Sequence, residues 1–279
     1  MPAATDQTIR FGLVTDIHLP AASEPAAALA AAGLRECLST ITRQKVDFLL
    51  QLGDLIKGSD AGKQEEIRHA TTILQEFAYP IRHVLGNHCL AVVRPELMRA
   101  LGMQAPYYAF TIKGFRFLVL DGMDISILTT PETEEERRML AHYLAKPELH
   151  DYCGAIGLRQ KAWLKSELEG AERSGEPVIV ICHFPFIPET TDARHGLLWN
   201  HREITELVSS SPAVMACISG HYHYGGYAQL NGVHFVVLPA FVNRSAHPRF
   251  ACGTVELQGE RMVVRNQLDE TVYDLALRH

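Results

Sequence analysis

No apolar run in this sequence approaches the roughly 20 residues that a helix needs to cross a bilayer, so no membrane partner is expected. Basic residues form no stripe, and the net charge is -6 with histidines neutral, which argues against a nucleic-acid partner. No Cys-x-x-Cys pair occurs among the six cysteines. Cys182 and Cys217 lie in apolar runs and read as buried free thiols, which suits a reducing compartment. Met1 to Arg10 has no apolar stretch of the secretory kind. The expectation is a cytoplasmic protein. Charged residues make up only 21% and apolar residues 47%, enough for a sizeable core and too few charges for disorder. At 279 residues, with no internal linker or repeat of fixed period, a single domain over 1–279 is the simplest reading. An anionic small molecule stays open as a ligand if a metal supplies positive charge.

What the sequence has is a series of apolar runs that end on polar residues of few kinds. Ile9 to Val14 reads as a strand and ends in Thr15-Asp16-Ile17-His18. Alternation puts Asp16 and His18 on one side of an extended backbone, where a carboxylate and an imidazole can grip one metal ion. Ala22 to Ile41 has helical spacing, with Leu34, Leu38 and Ile41 on one face. The strand from Val46 to Leu52 ends in Gly53-Asp54. A carboxylate there is costly unless paired or metal-bound, and the glycine leaves room for a close neighbour. Gln64 to Phe77 reads as a helix, and the strand from Tyr79 to Leu85 ends in Gly86-Asn87-His88. Asn87 can offer a carbonyl oxygen to a metal, and His88 can donate to an anionic oxygen.

Tyr107 to Phe110 and Phe115 to Leu120 read as paired strands, the second ending at Asp121-Gly122. Thr129 to Tyr152 is the most charged stretch and reads as a solvated helix. The excursion over residues 122–157 is a candidate helical lid. Gly157 to Leu168 reads as an amphipathic helix. The buried strand Pro177 to Cys182 ends at His183. Leu197 to Val208 reads as a helix or its entry, and Val214 to Ile218 as a strand ending in Ser219-Gly220-His221-Tyr222-His223. Val233 to Leu238, Gly253 to Leu257 and Met262 to Asn266 read as closing strands. Strand–helix–strand order with polar groups at the strand ends is the usual setting of an α/β active site.

Taken singly, each of these polar ends is an ordinary turn. The ordered set Asp16-x-His18, Gly53-Asp54, Gly86-Asn87-His88, His183 and Gly220-His221-x-His223 resembles the calcineurin-like metallophosphoesterases over about Phe11 to Val242. The resemblance implies an α/β layered fold, a two-sheet β-sandwich flanked by α-helices, with a two-metal site at the strand ends. It implies that Asp16, His18 and His223 hold one metal, that Asn87, His183 and His221 hold the other, and that Asp54 bridges them. His88 would face the phosphate without binding metal. Two divalent ions against the carboxylates of Asp16 and Asp54 leave the site net positive and receptive to phosphate. Ions roughly 3.5–4 Å apart can hold a bridging hydroxide as nucleophile for an in-line displacement. An O/N ligand set without thiolate suits Mn, Fe or Zn, and the resemblance favours Mn.

Several segments look like the Mn-dependent ADP-ribose/CDP-alcohol diphosphatase branch. They are Gln51 to Ile56, His83 to His88, Leu120 to Ser126, Gly154 to Gly157 with Gln160, Trp163 and Leu164, Trp199-Asn200 with Arg202, and Gly220 to Tyr227. That branch cleaves the pyrophosphate link of nucleoside diphosphate-linked small molecules. Two departures stand out. The residue after Gly-Asn-His is usually Asp or Glu, which orients the histidine, and here it is Cys89. Animal members carry glutamine where this chain has His18. For substrate contacts, Gly225 and Gly226 permit close backbone approach, Tyr227 is a candidate to stack on a base, Trp199 stands either at the mouth or in the core, and Arg202 is a candidate for a second phosphate. The expected function is a metal-dependent phosphohydrolase of this kind. The alternatives are a cyclic-nucleotide phosphodiesterase or general phosphomonoesterase on the same site, and, in another class, a non-catalytic metal-binding scaffold.

Overall fold

A computed structural model describes residues 8–278. The reading of Met1 to Arg10 falls mostly on residues 1–7, outside the described part, as do both ends of the 1–279 domain. Among the described residues no helix is long and apolar enough to cross a membrane, and all six cysteines are buried free thiols.

Among the described residues, twelve strands form two six-stranded sheets. In chain order they are β1 (Ile9–Val14), β2 (Phe48–Gln51), β3 (Ile81–His83), β4 (Tyr108–Ile112), β5 (Phe115–Val119), β6 (Val178–Ile181), β7 (Val214–Ser219), β8 (Gly226–Leu230), β9 (Val233–Val237), β10 (Gly253–Gln258), β11 (Arg261–Asn266) and β12 (Thr271–Ala276). One sheet runs β12-β11-β10-β1-β2-β3 and the other β4-β5-β6-β7-β9-β8. The helices are α1 (Ala27–Arg43), α2 (Lys63–Leu74), α3 (Arg94–Ala100), α4 (Glu134–Leu144), α5 (Leu158–Ser174) and α6 (His201–Ser210).

Strand alternation explains why the central strands read as unbroken apolar runs. Phe11, Leu13, Leu50, Phe117, Ile179, Ile181 and Ile218 pack in one core between the sheets. Their neighbours Val14, Leu49, Leu118, Val178, Val180 and Cys217 belong to a second core, shared with Leu34 and Leu38 of α1 and Leu164 and Leu168 of α5. Both faces of these strands are therefore buried, as parallel strands under helices require. Phe11 stacks on Phe48 at 5.0 Å and meets Phe117 edge-on at 5.6 Å, which ties the sheets together.

Some elements differ from the sequence reading. The first helix begins at Ala27 rather than Ala22, because Ala21 to Glu24 forms a turn and Ser23 is tied to Glu65. The short α3 and the edge strands β8 and β12 carry too few buried residues to show a period. Within 122–157, α4 buries no residue, while an antiparallel bridge between Ile125 and Ala155 pins the ends of the excursion. Arg159 of α5 also holds Glu132 and Glu136. The Leu120 to Ser126 motif makes an internal tie: buried Asp121 pairs with Arg94 at 2.9 Å, and Gln160 bonds the Asp121 backbone and the Asp124 carboxylate.

Candidate metal centre

Strands β1, β2 and β3 are parallel in one sheet, and β6 and β7 are parallel in the other. Their carboxyl ends meet at one edge of the sandwich and gather Asp16, His18, Asp54, His183, His221 and His223, while Asn87 lies between two residues that touch Asp54. Two loops brace each other there: Asp16 N–H donates to Gly53 O at 3.2 Å, and His18 N–H to Asp54 O at 2.9 Å. Asp16, His18, Asp54 and His221 all have positive φ, between 46° and 65°. Side chains other than glycine rarely adopt that conformation, and each instance costs on the order of 1–3 kcal/mol. Four such residues in one cluster indicate backbone held for side-chain placement. Gly53 contributes by absence: a Cβ on it would come 2.4 Å from His183 Nδ1.

The side chains converge, with His18 Nε2 and His223 Nε2 in hydrogen-bond contact at 3.3 Å and the carboxylates held mostly at longer range. Asp16 Oδ1 lies 3.8 Å from His18 Nε2, 3.9 Å from His183 Nε2 and 3.6 Å from His223 Nε2. Asp54 Oδ2 lies 3.3 Å from His183 Nε2 and 3.8 Å from His18 Nε2. The ligand atoms of Asp16, His18 and His223 form one set within 4.8 Å of one another, and those of Asp54, His183 and His221 form another. Asp54 also joins His18 and His88 in a third set. Its carboxylate thus touches both halves, as a bridging ligand must.

Hydrogen bonds outside the cluster decide which atoms face inward. Asp16 Oδ2 accepts from Thr15 Oγ1 and from His221 N–H. Asp54 Oδ1 accepts from His88 N–H at 2.9 Å. His183 Nδ1–H donates to Leu52 O at 2.8 Å, which leaves Nε2 inward. His221 Nε2–H donates to His195 O at 2.7 Å, which leaves Nδ1. Among the described residues five buried polar atoms lack a hydrogen-bond partner: two belong to the Arg94–Asp121 ion pair, and the other three are Asp16 Oδ1, Asn87 Oδ1 and His183 Nε2. Such atoms carry a desolvation cost unless a ligand takes them up. All three belong to the expected ligand set, and oxygen and imidazole donors suit a divalent transition metal. The residues present fit two metal ions.

The electrostatics agree. Burial works against ionisation of Asp16, but His183, His223 and His18 outweigh it and hold its carboxyl at about 2. Asp54 is likewise buried, and His183 and His18 hold it below the usual carboxylate range. Burial pushes His18 and His221 down to about 4. Burial also opposes a charged His183, but Asp54 and Asp16 raise it to about 9. The two carboxylates therefore demand a cation, and a proton on His183 answers when no metal does.

His88 stands at the exposed rim, edge-on to His18 at 4.5 Å. The substrate residues expected from sequence each have protein partners of their own. Trp199 is buried, with Nε1–H donating to His150 O and its ring beside Tyr143, so it anchors packing. Arg202 lines a depression with Glu189, Thr205 and Glu206. Tyr227 shares a hydrogen bond with His234 and packs on Tyr273. Gly225 and Gly226 serve chain packing: a Cβ would meet the Pro239 ring at 2.9 Å and the Thr190 carbonyl at 2.6 Å. Sequence reasoning missed His195, whose carbonyl holds His221 and whose Nδ1 lies 2.7 Å from Asp192 Oδ1. It falls in an aperiodic loop that offers no signal. Cys89 is fully buried, with Sγ 3.2 Å from Leu55 N–H.

The sequence matches the calcineurin-like phosphoesterase family over residues 9–225. An Arabidopsis thaliana protein named manganese-dependent ADP-ribose/CDP-alcohol diphosphatase is 31% identical over 220 residues, 69% of this chain and 70% of that protein. A Mus musculus protein of the same name is 26% identical over 258 residues, 78% and 75% of the two chains. A dimetal phosphatase from Danio rerio shares the fold with a TM-score of 0.83 over 97% of this chain and 98% of its own, at 23% identity. With its ligand set assembled and its sequence matched across most of its length, the chain belongs to the calcineurin-like phosphoesterase family.

Proposed function

We propose that this metal-dependent hydrolase cleaves the pyrophosphate link of nucleoside diphosphate-linked small molecules of the ADP-ribose or CDP-alcohol type, with Mn as its metal. The observation that carries the two-metal reading is Asp54 Oδ2, 3.3 Å from His183 and 3.8 Å from His18, in a residue that clusters with His183 and His221 on one side and with His18 and His88 on the other. Asp16, His18 and His223 would hold one ion, and Asn87, His183 and His221 the other. When bound, the ions supply positive charge to the phosphoryl oxygens and lower the pKa of water at the site. His88 Nδ1–H donates to the Lys57 carbonyl, so Nε2 is the atom left to exchange a proton with a phosphoryl oxygen.

The substrate class is supported by the names of the relatives. Behind His221, on the side of its outward Nε2, Cys153 separates it from a cavity of about 350 Å³ lined by His150, Leu197, Leu198 and His201. Apolar walls with a few polar groups suit a nucleoside. The test is hydrolysis by Mn-loaded protein of ADP-ribose, CDP-choline, a cyclic nucleotide and an aryl phosphate. Preference for the first two supports the reading. Preference for either of the others keeps the metal centre and discards the diphosphatase assignment.

A further inference from the structure

Glu66, in the first turn of α2, is fully buried, which a carboxylate tolerates only when its oxygens are well bonded. Its partners are backbone and hydroxyl groups of one loop. Oε2 accepts from Gly58 N–H at 2.6 Å, Oε1 accepts from Ser59 Oγ, and Ser59 N–H lies 3.3 Å from Oε1. Gly58 N–H belongs to the peptide unit whose carbonyl is Lys57 O. That carbonyl accepts from His88 Nδ1–H at 2.7 Å.

In a trans peptide the N–H and C=O point to opposite sides of one rigid plane. The order is therefore carboxylate, peptide, imidazole, in a single hydrogen-bonded line. Amide resonance carries the effect across: a carboxylate at the N–H makes the carbonyl oxygen a better acceptor. The chain on either side of this plane is also held. Lys57 N–H donates to Leu19 O at 3.1 Å, and the loop lies so close to residue 88 that a Cβ on Gly58 would come 2.6 Å from His88 O. Because a carbonyl can only accept, Nδ1 carries a hydrogen and Nε2 is left outside this hydrogen-bonded line. Cys89, next in the chain, is turned away and bonded to Leu55 N–H, so it gives His88 no carboxylate.

We infer that Glu66 is a positioning residue for His88, acting through the Lys57–Gly58 peptide to set the ring's orientation and tautomer. This rests on the reading that His88 Nε2 works at the phosphate. Outer partners that orient metal-ligating imidazoles are worth on the order of 10- to 100-fold, and the low end of that range is expected for an imidazole that does not bind metal.

The test is Glu66→Gln, which keeps shape and removes the charge. In metal-free protein, long-range ¹⁵N–¹H correlation spectra of His88 should show one Nδ1–H tautomer in the wild type and a growing Nε2–H population in the variant. In Mn-loaded protein kcat should fall on the order of tenfold, with KM and Mn affinity unchanged. In a His88→Ala background Glu66→Gln should cost nothing further, because the effect runs through His88. An unchanged tautomer, or losses that multiply in the double variant, would overturn the inference. If His88→Ala leaves kcat intact, the reading of His88 itself fails, while the tautomer still decides whether Glu66 governs the ring. Should Glu66→Gln not fold, Glu66→Asp withdraws the carboxylate from Gly58 N–H and is judged by the same tautomer shift.

Discussion

Gly86 lies against Asp54 so closely that a Cβ on it would come 2.2 Å from Oδ1 and 2.5 Å from the backbone nitrogen. The glycine of Gly-Asn-His therefore makes room for a carboxylate supplied by another strand. Gly86→Ala should leave most of the two cores intact but displace Asp54. The expected outcome is a protein with native-like circular dichroism that binds fewer than two Mn per chain and loses at least about a hundredfold in kcat, as severe disturbance of a ligand implies. Wild-type metal content in that variant would show that Asp54 need not sit where it does.

Metal binding should displace a proton from His183. Asp54 and Asp16 hold this imidazole at about 9, so it is protonated at neutral pH in metal-free protein, whereas His18 and His221, held at about 4, are neutral. The sign follows: metal competes with the proton on His183, and affinity rises with pH up to about 9 and falls below it. Calorimetric Mn titrations at about pH 8 in buffers of different ionisation enthalpy should report about one proton released. Zero release would mean that His183 is not a ligand.

His83 gives a pH effect on stability that is separate from the metals. Burial lowers it to about 4, and Nδ1 lies 3.3 Å from Gln51 Oε1. Its folded value is below the ordinary value of 6.5, so the unfolded chain binds more protons between those limits. Stability is then full above about pH 6.5 and is lost as pH falls towards 4, by roughly 3 kcal/mol at most. His83→Gln should flatten that part of the stability curve. An unchanged slope in denaturant titrations between pH 4 and 6.5 would assign the loss to other groups.

Much of this centre was legible before the fold was known, and the reason is local. Asp16, His18, Asp54, Asn87, His88, His183, His221 and His223 each end an apolar run, and parallel strands gather such ends at one edge of a sandwich. The central strands were legible in the same runs because both their faces are buried, whereas the two-sheet sandwich was what the family resemblance implied. Residues whose role depends on distant partners were not legible. Trp199 meets His150 and Tyr143, and Tyr227 meets His234 and Tyr273, contacts that no spacing announces. Glu66 sits in Gln64-Glu65-Glu66, which reads as a solvated helix start until the fold turns one carboxylate inward. His195 lies in a loop without periodicity and acts on His221 through its backbone.

Replacing Asp54 with Asn tests its position between the two ligand groups from the chemical side. The amide keeps the shape and removes the charge that holds both halves together. Asp54→Asn should fold, bind Mn at less than wild-type stoichiometry and lose turnover almost entirely. Substantial turnover would remove Asp54 from the bridging position.

The most direct measurement is a crystal structure of the Mn-soaked protein with anomalous scattering recorded at the Mn edge. The account predicts two peaks roughly 3.5–4 Å apart, flanking Asp54 Oδ2. One should lie among Asp16, His18 and His223, and the other among Asn87, His183 and His221. A single peak, or two peaks that do not share Asp54, would contradict it.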